Sequence, residues 1–100
     1  MPFNQFTPRN FTNDAIHTYA PVASGVYGIS NAREWIYIGE TDNIQRALLT
    51  HLQGLTTVLM KRKPTGFVFE VCDPAQRSSR QDRLVFEYEP ACNQHARQAS

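Results

Sequence analysis

The side chains of this 100-residue chain that could do chemistry concentrate in one stretch, GVYGISNAREWIYIGETDNIQRALLTHL, from Gly25 to Leu52. Two glycine–tyrosine signatures stand there, Gly25-Val26-Tyr27 and Tyr37-Ile38-Gly39, and behind them a helical pattern whose apolar face carries Ala47 and His51. Tyrosine and histidine donate, accept and relay protons. They are also what a small core buries, Tyr27 and Tyr37 as hairpin aromatics and His51 as a half-buried histidine among leucines. A second chemistry is phosphate binding. Arg46 lies on the same helical pattern, Lys61, Arg62 and Lys63 form a basic loop, and Arg77, Arg80 and Arg83 follow along a later helix. Cationic side chains of this kind contact nucleic-acid backbones. Solvated surfaces have the same composition, and Glu34, Glu40, Asp42 and Asp82 dilute the charge.

The elements that must position these residues form one small domain, since a chain this short supports a single core. Its 41% hydrophobic and 19% charged composition is that of a folded globular protein. Ten Lys and Arg against nine Asp and Glu leave a net charge of +1. That balance is too even for a whole-surface basic field, so nucleic-acid binding would have to come from local patches. The first residues lack the basic region and apolar run of a secretory signal, and no stretch has the roughly 18 apolar residues of a membrane span. The expected location is cytoplasmic, with no membrane partner. Cys72 and Cys92 make neither a disulfide framework nor a zinc-type spacing. They read as small buried hydrophobes rather than reactive thiols.

Residues 1–23 read as an arm with Phe3, Phe6, Phe11, Ile16 and Tyr19 among polar residues, containing one short helix capped by Thr12 or Asn13. GVYGIS and EWIYIG, separated by Asn31-Ala32-Arg33, read as a β-hairpin. A turn centred on Ala32 predicts Tyr27 opposite Tyr37 on one face, with Ile36 and Ile38 on the other. Thr41 or Asp42 is the expected cap of a helix whose apolar face is Ile44, Ala47, Leu48, His51, Leu52 and Leu55, stopping near Gly54. FVFEVC reads as a third strand with Phe67, Phe69 and Val71 on one side. Asp73 and Pro74 open a last helix with Gln81, Leu84, Val85 and Tyr88 on a common face, ended by Pro90. The expected fold is α+β, a three-stranded, largely antiparallel sheet flanked by helices in the order α-β-β-α-β-α.

The two signatures, the helix at its distance behind them, and the run LVFEYEPACN ending in Pro90 and Asn93 together resemble the GIY-YIG nuclease family. Several ordered motifs at compatible spacing are more specific than any one alone. The similarity spans residues 24–93, leaving 94–100 as a tail. It implies cleavage of a nucleic-acid phosphodiester, in which a signature tyrosine helps activate water, an arginine stabilises the phosphate and a glutamate holds a divalent metal. Carried over residue by residue, the retained site is Tyr27, Tyr37, His51 and Asn93. The arginine position falls on Ala47 and the glutamate position on Gln81. Arg46 and Asp82 are each one residue away, and one step turns a helical side chain by roughly 100°; a long arginine can still reach round, whereas a short aspartate cannot without moving the backbone, so the metal site is the harder loss to repair. Gln81 offers an amide oxygen but no charge to a hard ion such as magnesium.

A lost transition-state donor costs about 10²–10³ in rate, and an arginine on a transferring phosphoryl group is worth about 10³–10⁵. The expectation is therefore a GIY-YIG-like domain without catalytic activity and without a bound cofactor, a divalent metal such as magnesium being expected only in an active enzyme. Nucleic-acid binding would use Arg46, Lys61, Arg62, Lys63 and Arg80, with DNA or RNA as partner. Two alternatives stand beside it: a protein-interaction or regulatory module, and an active metal-dependent endonuclease that uses Arg46 and Asp82.

Overall fold

The computed structural model describes residues 8–53 and 62–92, so Phe3, Phe6, Gly54, Leu55, Lys61 and Asn93 lie outside the described residues. The elements are β1 (Arg9–Asn10), α1 (Asn13–Tyr19), β2 (Gly25–Ser30), β3 (Trp35–Thr41), α2 (Ile44–Leu52), β4 (Gly66–Val71) and α3 (Pro74–Tyr88). The expected α+β order is present, on an antiparallel sheet with four strands rather than three, in the order β1-β4-β2-β3. The added strand comes from the arm, where Arg9 pairs with Phe67 and Asn10 with Gly66. Two residues are too few to show a period-2 pattern, which is why the sequence gives no sign of it.

Helices cover both faces of the sheet. On one face Ile16 of α1 and Ile44 and Leu48 of α2 close over Tyr27, Ile29 and Phe67. On the other, Leu84 and Val85 of α3 pack on Val26, Ile38 and Val68. Strand β2 runs through the middle and is buried at every residue from Gly25 to Ser30. Phe11, Ile16 and Ala20 belong to the larger core cluster, so the described part of the arm is built into the domain. Each large apolar side chain so buried contributes about 1.5–3 kcal/mol.

The hairpin register differs from expectation. Tyr27 lies opposite Gly39, Ile29 opposite Tyr37 and Ser30 opposite Trp35, so Ile36 is the extra residue of a β-bulge. The bulge turns two consecutive residues, Ile36 and Tyr37, toward the α2 side, while Trp35 and Ile38 pack on the α3 side. Ile36 and Ile38 therefore do not share a face. Tyr27 and Tyr37 still do, because the slip moves Tyr37 along its strand without changing its side.

The helix starts follow local hydrogen bonding. Thr12 caps α1, its hydroxyl accepting from the Ala15 N–H at 3.2 Å. The cap of α2 is Asn43 rather than Thr41 or Asp42, with Asn43 Oδ1 accepting from the Arg46 N–H at 3.0 Å. Thr41 is occupied one step earlier, its hydroxyl accepting from the Asn43 N–H at 3.0 Å. Helix α3 opens at Asp73 and Pro74 and ends after Tyr88, where Glu89 takes a left-handed conformation at φ 50° before Pro90.

Candidate functional site

Three of the sequence-derived site residues come together on the α2 side of the sheet. Tyr27 Oη and His51 Nε2 share a hydrogen bond of 2.8 Å. The ring centroids of Tyr27 and Tyr37 are 6.1 Å apart, those of Tyr37 and His51 5.2 Å, and those of Tyr27 and His51 5.6 Å. Strands β2 and β3 supply the two phenols, and the last turn of α2 supplies the imidazole. Gly39 makes the arrangement possible. A Cβ there would lie 2.6 Å from Tyr27 Oη and 2.8 Å from Tyr37 Cε2, so the second-signature glycine is the floor on which the first-signature tyrosine lies.

The electrostatics keep this trio neutral. Burial, and after it the neighbouring Tyr37, pushes the Tyr27 phenol far above its ordinary pKa. Burial also raises Tyr37 and lowers His51. A buried phenol with no cation lowering its pKa holds its proton at neutral pH. Tyr27 and His51 thus form a neutral, hydrogen-bonded pair, able to position a polar ligand but poorly suited to taking a proton from water.

The two positions to which the resemblance assigns the arginine and the glutamate are used structurally. Ala47 lies one turn before His51 on α2 and packs against the apolar cluster. Gln81 sits on α3, on the other side of the sheet, and its Nε2 donates to the carbonyl of Ile38 at 3.2 Å. Ile38 belongs to β3, an outer strand of the sheet, so the amide ties α3 to that strand. The donor set does not suit a hard divalent cation. Gln81 brings no charge, and among the described residues no three His, Cys, Asp or Glu side chains converge.

The basic residues divide sharply. Arg80 is bidentate to Glu70, with Nε to Oε2 at 2.7 Å and Nη2 to Oε1 at 2.9 Å. Arg77 meets Glu40 at 3.2 Å, and Arg62 meets Glu34 at 3.2 Å. Arg46, Lys63 and Arg83 are exposed. Sequence reasoning passed over two residues here. Asn31 and Arg33, read only as turn formers, shape the loop beside Arg62, and the signal was an asparagine followed by Arg33 and Glu34, whose N–H groups its side chain accepts. Cys92 is half-buried and packs against the α2-side core. Burial raises both thiols above their ordinary pKa, as inert cysteines require.

No family model matches the sequence, and no curated protein aligns with it. Solved structures do match. The GIY-YIG N-terminal endonuclease domain of UvrC from Thermotoga maritima, bound to magnesium as its catalytic divalent cation, is 22% identical. The match covers 76% of this chain and 92% of that one, with a TM-score of 0.65. Two point-mutant forms of the same domain match at 21% and 22% identity, also with a TM-score of 0.65. The chain therefore has the GIY-YIG-like α+β fold. Among the described residues no helix is long and apolar enough to cross a membrane.

Proposed function

We propose that this chain is a GIY-YIG nuclease-like domain that binds nucleic acid without cutting it. The observation that carries the reading is the contrast inside the site. Tyr27, Tyr37 and His51 keep a close geometry in which Tyr27 and His51 are hydrogen-bonded, while Ala47 is packed into apolar surroundings and the Gln81 amide is committed to the Ile38 carbonyl. Aromatic and hydrogen-bonding groups without a cation can hold a nucleic-acid strand, but they leave the charge of a pentavalent phosphate unstabilised. Exposed Arg46 and Lys63 are described cations available for phosphate contacts, with Lys61 a further candidate outside the described residues. The endonuclease activity of the UvrC domain supports the choice of nucleic acid as the ligand class. The relocated-residue alternative has less support, since Arg46 and Asp82 are both exposed and neither falls on the face of the residue it would replace.

The test is a cleavage assay in magnesium and in manganese on duplex, branched and single-stranded DNA and on RNA. It compares the chain with its Ala47→Arg, Gln81→Glu double variant. The expected result is no cleavage by the parent alongside salt-dependent binding. Cleavage by the parent that Tyr27→Phe abolishes would overturn the reading. A second reading, a protein-interaction module, draws on Phe86, which is 84% exposed on α3. Loss of a partner on Phe86→Ser with nucleic-acid binding absent would select it.

A further inference from the structure

We propose that the β2–β3 turn and the loop entering β4 form a two-loop clamp for a phosphodiester of a nucleic-acid strand, with Arg33 and Lys63 as its contacting cations. The proposal rests on the nucleic-acid-binding reading above and names where the backbone is held. One side chain staples the two loops. Asn31 Oδ1 accepts from the backbone N–H of Arg33 at 2.8 Å and of Glu34 at 2.9 Å, while Asn31 Nδ2 donates to the Arg62 carbonyl at 2.6 Å. The Thr65 N–H donates to the Ser30 carbonyl at 2.9 Å and closes the base. Between the loops lies a cleft lined by Asn31, Arg33, Glu34, Arg62, Lys63 and Thr65. Lys63 is held at φ 54°, a conformation that non-glycine residues seldom adopt and that clusters at ligand clamps.

The cleft concentrates uncompensated positive charge. Glu34 is taken by the Arg62 guanidinium at 3.2 and 3.3 Å. Arg33 and Lys63 are exposed at the rim, with no acidic partner among the described residues. Elsewhere Arg77 and Arg80 are bound to Glu40 and Glu70, and the Arg9 guanidinium lies 3.8 Å from the centre of the Tyr19 ring. A planar guanidinium and a point-charge ammonium on opposite walls suit phosphate oxygens, the first by paired hydrogen bonds and the second by field.

The experiment is fluorescence anisotropy of short labelled duplex DNA, single-stranded DNA and single-stranded RNA with the full chain, titrated over salt concentration. It compares the parent with Arg33→Ala, Lys63→Ala, the double variant, and Ser78→Glu on exposed α3 surface as a control that matches the charge change of either single variant. Thermal melts establish that each variant is folded. The double variant is expected to bind about tenfold or more weakly at low salt, with the slope of log affinity against log salt reduced by about 1.4–1.8, two phosphate contacts' worth. Ser78→Glu is expected to leave the slope unchanged. A parent that binds while the double variant keeps its affinity and slope would overturn the clamp and leave the nucleic-acid reading standing. A parent that binds none of the three probes at low salt would overturn that reading and the clamp with it.

Discussion

The two faces of the sheet handle polar groups in opposite ways. On the α3 side, Glu40 of β3 and Glu70 of β4 both stand opposite Val26 of β2, one on each flank. Arg77 and Arg80, three residues apart on α3 and so on neighbouring turns, reach down to one carboxylate each. Charge there is paired and serves as an anchor. On the α2 side, Tyr27 and His51 keep their polar atoms neutral and hydrogen-bonded to each other, with the Tyr37 ring against both. A neutral polar cluster can stand on one face of a small sheet because the ion pairing that ties helix to sheet is done on the other.

Glycine substitutions should break that comparison most strongly. A Cβ at Gly25 would collide with the Glu70 carbonyl oxygen and lie 2.8 Å from Ile44 Cδ1. The first of these is backbone of a paired strand and cannot step aside. Gly25→Ala is expected to cost more than about 3 kcal/mol, lowering Tm by more than about 10 °C. Gly39→Ala meets only the ends of the Tyr27 and Tyr37 side chains, which can move at the expense of the Tyr27–His51 bond. Its expected cost is about 1–3 kcal/mol. Equal melting temperatures for the two variants would contradict the distinction between a backbone and a side-chain obstacle.

Next in size is the anchor itself. The Arg80 and Glu70 side chains are 16% and 12% exposed, against 47% and 34% for Arg62 and Glu34. Arg80→Ala leaves a largely buried carboxylate without its bidentate partner and is expected to cost about 2–3 kcal/mol. Arg62→Ala, at a solvent-screened pair, should cost about 0–1 kcal/mol. Urea unfolding of the two variants in low and high salt measures both. Similar losses would mean that the α3-side pairs are no more of an anchor than a surface contact.

The parts of this molecule legible in the sequence are those that repeat or that carry a motif. The apolar face of α2, the alternation of Phe67, Phe69 and Val71, and the cap-and-proline start of α3 all follow from local pattern. So does the shared face of Tyr27 and Tyr37, whereas the meeting of His51 with them is implied only by the family resemblance. What escaped depends on a single inserted residue or on chain segments meeting from far apart. The Ile36 bulge shifts the hairpin register without altering the strand's composition. The pairing of β1 with β4 is two residues long. The Asn31 staple joins loops that no periodicity connects. The engagement of Gln81 with Ile38 rests on a backbone carbonyl, which any residue at position 38 would offer.

That last contact makes a smaller prediction. Gln81→Glu replaces a donating amide with a carboxylate facing the Ile38 carbonyl. The change is expected to cost about 1–2 kcal/mol even though it supplies the residue type that the resemblance places there. Gln81→Met removes the donor without adding charge and should cost less. If Gln81→Glu proved more stable than the parent in denaturant titration, the amide would not be serving as a tie between α3 and β3.

The smallest expected effect is on pH dependence, and it isolates the α2 side. His51 has its pKa lowered by burial from the ordinary 6.5, so below about pH 6.5 the unfolded chain takes up a proton that the folded one resists. Stability then falls as pH drops through that range. Tyr27 works in the other direction, because its folded pKa lies above the ordinary 10.0. Above pH 10 the unfolded phenol ionises while the buried one does not, and stability falls again. Comparing urea midpoints of the parent and His51→Gln between pH 7 and 5 should show a steeper acid decline in the parent, because the carboxylates common to both cancel in the difference. Parallel curves would mean that His51 protonates freely in the folded protein, and the neutral hydrogen-bonded pair with Tyr27 would have to be abandoned.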